Sequence, residues 1–298
     1  MTTAPDPPAT AAVLFPTLGC VADPLSWLSP PCVMGILNVT PDSLWGGAGP
    51  IDAAGALARI TAMAQEGAAI CDVGAESTRP GSDPVGADDQ LARLDGVLRA
   101  VRESPPPIPL SIDTTLAVVA EAALDAGAVL VNDVTAGRGD PGLLGLVAER
   151  GAAVCLVHMR GAPRTMQSDP RYGDVVAEVR DHLAERLEAA VAAGVPQERV
   201  IIDPGVGFGK TLHHNLALLA GVGELATLGR PVLVGVSRKS MFDALLGRGV
   251  EERMTASVAA GLAAVARGAA VLRVHDVRDT SDALRVWAAV TAAAGAAA

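Results

Sequence analysis

From residue 31 onward the chain alternates short apolar runs with longer stretches of helical periodicity, and it does so eight times. The runs fall at 33–37, 69–73, 108–112, 129–133, 153–157, 200–202, 232–236 and 271–274, with helical patterns between them, for example over 51–65, 117–126, 175–193 and 255–266. A strand followed by a long helical crossover sets the next strand parallel to the first, so the pattern describes βα units and a parallel sheet. Gly67, Gly127, Gly151, Gly194 and Gly268 each precede a run, where a helix calls for a left-handed C-terminal residue. Eight units is the number that closes a (β/α)8 TIM barrel, an α/β fold. The rival is a doubly wound open sheet, which usually carries a glycine fingerprint in its first crossover. The first turn here, Asn38-Val39-Thr40-Pro41-Asp42-Ser43, has none.

A barrel accommodates 298 residues as one domain, so the expected organisation is a short N-terminal extension over 1–31 and the barrel over 32–298. The extension is rich in Pro, Ala and Thr and is expected to be partly disordered, with Phe15, Leu25, Trp27 and Leu28 docking under the barrel. Half the residues are hydrophobic and only 2% aromatic, so the core is built from Ala, Val, Leu and Ile, and each ring's position carries information. A formal net charge of −10 argues against a broad footprint for nucleic acid or for an anionic membrane surface. Any anionic ligand must therefore meet a local basic pocket. No uninterrupted apolar window of about 18 residues and no basic-then-apolar N-terminus occur, so neither a membrane span nor a signal peptide is expected. Cys20, Cys32, Cys71 and Cys155 lack CxxC spacing, and Cys71 and Cys155 lie inside apolar runs, which fits buried, reduced thiols and a cytoplasmic location.

Each apolar run ends in a polar or glycine-rich cluster, and a barrel gathers all eight strand ends on one face, where enzymes of this fold place their chemistry. The clusters are Asn38 to Ser43, Gly74-Ala75-Glu76-Ser77-Thr78-Arg79-Pro80-Gly81, Ser111-Ile112-Asp113-Thr114, and Asn132-Asp133. They continue with His158-Met159-Arg160, Asp203-Pro204-Gly205-Val206-Gly207-Phe208-Gly209-Lys210, Ser237-Arg238-Lys239-Ser240, and Arg273-Val274-His275-Asp276. Of 23 basic residues only Lys210 and Lys239 are lysines, and both follow strands. A compact ammonium does what a planar guanidinium does not, sitting over a ring while donating to a heteroatom. Phe208, one of three phenylalanines, is flanked by glycines in a loop and is placed to touch an aromatic ligand. The glycines at 205–209 do not form a phosphate-binding P-loop, because Pro204 stands where its first glycine belongs.

Residues 34–43, 72–81, 203–210, 237–240 and 273–277 together resemble the signature segments of the dihydropteroate synthase family, in order and with barrel spacing over roughly residues 31–290. The resemblance implies condensation of 6-hydroxymethyl-7,8-dihydropterin pyrophosphate with 4-aminobenzoate to 7,8-dihydropteroate, assisted by magnesium, with no protein nucleophile. It implies a pterin site of Asp113, Asn132, Met159, Asp203, Gly207, Lys239 and Arg273, with Arg273 stacked on the ring. It further implies Asn38, Arg273 and His275 at the pyrophosphate, Asn38 also as the metal ligand, and Asp42, Ser43 and Arg79 on closing loops. The aminobenzoate falls to Thr78, Arg79, Pro80, Phe208, Lys239 and Ser240. A homodimer through outer helices is implied as well, although Ala-rich helix faces such as that over 256–266 fit core packing equally.

The chain departs from the family pattern at two places. The first loop carries Leu44 and Trp45 where a Phe is usual after Asp-Ser, and Met241 precedes Phe242 after the seventh strand. Both lie near the aminobenzoate pocket, so sulfonamide sensitivity is open, and Trp45 is expected to supply the missing ring. Plainer roles also exist: Asp113 as a cap for the helix beginning near Thr115, Asn132 as a partner for loop amides, Asp203 as a turn residue, and His275 as a satisfied core histidine. Rival functions are a pterin-dependent methyltransferase, a non-catalytic pterin-binding paralogue, and a metal-dependent barrel hydrolase suggested by His158 and His275. The methyltransferase needs neither the Ser-Arg-Lys-Ser nor the Thr-Arg-Pro element, and the first strand lacks the His-x-His favoured by the hydrolase.

Overall fold

Eight short parallel strands stand side by side in a ring in the computed structural model of the chain, which describes residues 23–40, 52–77, 79 and 81–296. The strands are β1 (Cys32–Asn38), β2 (Ile70–Gly74), β3 (Leu110–Asp113), β4 (Leu130–Asp133), β5 (Ala153–Val157), β6 (Val200–Asp203), β7 (Leu233–Val234) and β8 (Val271–Val274). Between and after them run α1 (Ala53–Glu66), α2 (Ala87–Glu103), α3 (Ala117–Asp125), α4 (Leu143–Arg150), α5 (Val175–Ala192), α6 (Leu212–Ala220), α7 (Val222–Ala226), α8 (Met241–Leu246), α9 (Met254–Val265) and α10 (Val277–Ala296). The order β6-β5-β4-β3-β2-β1-β8-β7 is continuous, and a single bridge from Ile202 to Val232 brings β6 to β7 and nearly closes the ring. This is the (β/α)8 barrel expected from the eightfold alternation.

Three strands are shorter than their apolar runs, β4 by Val129 alone. Pro109 has no N–H to give to a ladder, so β3 begins at Leu110, although the Pro109 carbonyl still accepts from Cys71. At β7 pairing stops after Val234, because Gly235 and the left-handed backbone of Arg238, φ 56°, turn the chain out of the sheet.

Side chains alternate between the two faces of a strand, and that period of two sorts the core. Cys71, Val73, Ile112, Val131, Val154 and Ile202 point outward and pack beneath the helices. Met34, Ile70, Leu130, Cys155, Ile201 and Val271 point inward and fill the barrel, and Leu25, Trp27 and Leu28 join this inner cluster. One step further along the strands, the same inward parity carries Asp72, Asp113, Asn132, Asp203 and Arg273 to the C-terminal end of the ring. The barrel is thus a hydrocarbon plug capped by a polar layer. The five glycines expected before strands all have positive φ, between 62° and 102°.

Candidate active site

The polar layer opens into a cleft at the C-terminal face, lined among others by Asp113, Asn132, Asp203, Lys239, Arg273 and His275, with Phe208 in its wall. Arg273 organises one side. Its Nε donates to Asp72 Oδ2 and its Nη2 to Asp113 Oδ2, both at 2.6 Å. Burial opposes its charge, but Asp72 and Asp113 outweigh that and hold the guanidinium above its ordinary value. Burial, reinforced by the carboxylates of Asp72, Glu76 and Asp133 and opposed by Arg273, pushes Asp113 up to about 7. Asn132 donates its Nδ2 to Asp72 Oδ2 at 3.0 Å.

Asp203 closes the opposite side. One oxygen accepts from the Gly205 N–H at 2.7 Å, so the residue does serve its turn, and the carboxyl belongs to the cleft as well. Burial raises its pKa, against the Gly205 N–H and the charges of Lys239 and Arg273. Lys239 donates to the Val206 carbonyl at 2.8 Å. Burial, aided by Arg273 and opposed by Asp203, lowers its ammonium to about 8. His275 binds Ser237 Oγ through its backbone N–H at 3.1 Å and through Nδ1 at 3.0 Å. Burial and the charges of Arg273, Arg238 and Arg79 lower its imidazole to about 3, so it is neutral near pH 7.

The loop after β6 carries Phe208 and is stapled from below. A Cβ at Gly205, φ 66°, would stand 1.8 Å from the His158 carbonyl oxygen, and one at Gly209, φ 66°, would stand 2.2 Å from that of Arg160. Only glycine permits so close an approach of two backbones. Lys210 adds a pin: its Nζ lies 2.9 Å from His158 Nδ1 and donates to the Phe208 carbonyl at 3.0 Å. Burial drives Lys210 well below the usual lysine range and His158 down to about 2. The two lysines singled out by their rarity therefore differ in place, Lys239 in the cleft and Lys210 behind it.

Of the remaining expected residues, Asn38 ends β1 half-buried, and Gly207 lies against the Lys239 stem. Arg79 and Ser240 are exposed, and Met159 is buried within the inner core cluster. Asp42, Ser43, Leu44, Trp45, Thr78, Pro80 and Phe15 lie outside the described residues. The plainer role for Asp113 is filled by others, since Asp140 accepts from the Ala117 N–H at 2.9 Å and Thr114 from Leu116 at 3.3 Å. Asn132 likewise turns to Asp72 and not to loop amides. Asp72 and Asp276 lie within the segments singled out in the sequence but have no role assigned there. Asp276 grips the Arg238 guanidinium at 2.7 and 3.1 Å, and the inward parity of an aspartate inside an apolar strand is the signal that marks Asp72. Among the described residues no three His, Cys, Asp or Glu side chains gather to hold a metal ion, and no helix is long and apolar enough to cross a membrane.

Residues 34–275 match the family of pterin binding enzymes. The chain is 46% identical over 270 residues to a dihydropteroate synthase of Neisseria meningitidis serogroup B, covering 88% of this chain and 94% of that one. The structure of Xanthomonas albilineans dihydropteroate synthase with 4-aminobenzoic acid is similar with a TM-score of 0.82 and 47% identity, over 89% of this chain and 94% of that one. That of Burkholderia cenocepacia dihydropteroate synthase complexed with 7,8-dihydropteroate gives 0.79 and 49%, over 89% and 92%.

Proposed function

The chain belongs to the dihydropteroate synthase family of pterin-binding enzymes, and from that premise we propose how its own residues divide the reaction. The enzyme is a transferase that joins 6-hydroxymethyl-7,8-dihydropterin pyrophosphate to 4-aminobenzoate, giving 7,8-dihydropteroate and pyrophosphate. Asp203, Asn132 and Asp113 accept from the N–H edge of the pterin, Lys239 donates to its acceptors, and Gly207 and Met159 border the ring. The observation that carries this assignment is the convergence of three acceptor side chains and two cations on one buried cleft. Arg273 stacks on the pterin and, with His275 and Asn38, takes the departing pyrophosphate. A neutral His275 offers the anion an N–H without a counter-charge of its own.

The aminobenzoate amine attacks the methylene as the C–O bond to pyrophosphate breaks. The protein's task is to orient both partners and to stabilise the leaving anion. Phe208, the Lys239 stem and Arg79 hold the aminobenzoate ring together with Thr78 and Pro80, with its carboxylate toward Ser240, and Asp42 and Ser43 serve the pyrophosphate. Leu44 and Trp45 set the response to sulfonamides, which compete for this pocket. Magnesium fits as a partner of the pyrophosphate: the Asn38 amide makes no hydrogen bond with the described residues, and one neutral oxygen suits an ion that keeps its waters and phosphate oxygens. When bound, it neutralises charge on the leaving group.

A homodimer and a cytoplasmic location complete the reading. The groove between α6, α8 and α9 is apolar, with Leu245 and Leu246 just over half exposed and Leu216 beside them, which suits a second copy of the chain. The buried thiols of Cys32, Cys71 and Cys155 suit a reducing compartment. Purified protein with pterin pyrophosphate, aminobenzoate and magnesium should yield a product of dihydropteroate mass, and Asn132→Ala and Asp203→Ala should raise the pterin KM selectively. Unchanged pterin KM in both variants would remove the assignment. Leu245→Glu with Leu246→Glu should halve the mass measured by light scattering.

A further inference from the structure

Asp72 is fully buried on β2 and lies beneath the cleft, beside Ser111 of β3 in the ladder. One of its oxygens serves two residues of the cleft at once, accepting from Arg273 Nε at 2.6 Å and from Asn132 Nδ2 at 3.0 Å. The oxygen that accepts from Arg273 presents a lone pair, so Asn132 turns its NH2 group toward Asp72. Its Oδ1 is left buried with no hydrogen-bond partner among the described residues. A buried acceptor held without a partner in a ligand site is an acceptor kept for the ligand. Neither Asp133, which is committed to Thr135 and Gly137, nor Asp113, which is paired with Arg273, supplies this constraint.

We propose that Asp72 is a positioning residue that sets the hydrogen-bond polarity of Asn132, so that the cleft accepts a ligand edge presenting an N–H there and rejects one presenting a lone pair. The inference rests on the reading of Asn132 as a pterin contact. Asp72 touches no substrate; it acts by denying Asn132 the flipped orientation, which a partner able to donate would permit. Specificity for the pterin edge is therefore decided by a carboxylate outside the cleft.

The test measures binding of 6-hydroxymethylpterin to the full chain by calorimetry. Asp72→Ala removes the oxygen shared by Arg273 and Asn132, frees Asn132 to flip, and should weaken binding about tenfold. Asp72→Asn keeps an oxygen for both donors, because an NH2 turned there would face the Arg273 N–H, and should bind within about threefold of the wild type. A residue that acts through its charge alone predicts the opposite, an Asp72→Asn variant as weak as Asp72→Ala. The inference is overturned if Asp72→Ala binds within about twofold of the wild type, or if Asp72→Asn is as weak as Asp72→Ala. If Asn132→Ala also binds like the wild type, the reading of Asn132 fails too; if it weakens binding while Asp72→Ala does not, only the role of Asp72 fails. Should Asp72→Ala not fold, a crystal of the wild-type chain with the same pterin decides: an N–H of the ligand against Asn132 supports the inference, and a ligand acceptor there overturns it.

Discussion

The Lys239 ammonium rests over the face of the Phe208 ring, 4.2 Å from its centroid, while donating to the Val206 carbonyl two residues earlier in the same loop. One side chain from the loop after β7 thereby organises the loop after β6. The contact is a cation–π interaction in a largely desolvated setting, worth about 1–2 kcal/mol. Phe208→Leu should raise the aminobenzoate KM about tenfold and leave the pterin KM within about threefold, since Lys239 keeps its carbonyl partner. Equal effects on both substrates in steady-state assays would show that Phe208 only supports the loop.

Two groups of the cleft titrate near neutrality in opposite senses. Asp113, raised to about 7, is a charged carboxylate with both oxygens free to accept only above that pH, and Lys239, lowered to about 8, is a cation only below its own. The kcat/KM for the pterin substrate should therefore peak between the two and fall by about tenfold per pH unit on either side. A profile flat from about pH 6 to about pH 9 would rule out a charge requirement at both groups.

Asp203 separates binding from folding. An amide at 203 keeps an oxygen for the Gly205 N–H, so Asp203→Asn should preserve the turn and the melting temperature. It loses an acceptor for the ligand, at a cost of about 1.5–3 kcal/mol, or about 10- to 150-fold in pterin affinity. A melting temperature that drops in step with the affinity would assign Asp203 to the fold instead.

The glycine staple is a stability element. Gly205→Ala drives a methyl group into the His158 carbonyl in a left-handed backbone and should cost about 3 kcal/mol or more, with loss of the Phe208 loop geometry. Gly81→Ala, with positive φ but nothing within 4 Å, should cost about 1 kcal/mol. Denaturant midpoints for the two variants provide the comparison.

Much of this architecture is local and therefore legible in the sequence. Apolar runs report parallel strands buried on both faces, the helix-ending glycines report left-handed caps, and inward parity explains why Asp113, Asn132 and Asp203 share one cleft. Pairings across the ring are not local. Asp72 reads as one acid in an apolar run because its partner Arg273 lies 201 residues away. The run at 232–236 looks like a full strand, yet Leu233 and Val234 alone carry β7, since hydropathy does not register the turn at Arg238. Lys210 and Lys239 share rarity and strand-end position, and only folding sends the first behind the loop and the second into the cleft. Asp113 offers itself in the sequence as an alternative cap for α3 because the residue that supplies the cap, Asp140, reaches Ala117 from 23 residues further on.

The lone bridge between Ile202 and Val232 leaves the barrel a seam, and the seam lies directly under the interval between Asp203 and Lys239. Every other neighbouring pair of strands is laced by a ladder. The Lys239 ammonium, donating to the Val206 carbonyl, supplies from the loop after β7 a cross-link to the loop after β6 where the ladder stops. Lys239 thus belongs to the ring as well as to the cleft, tying together the two strand ends that the backbone joins by a single bridge.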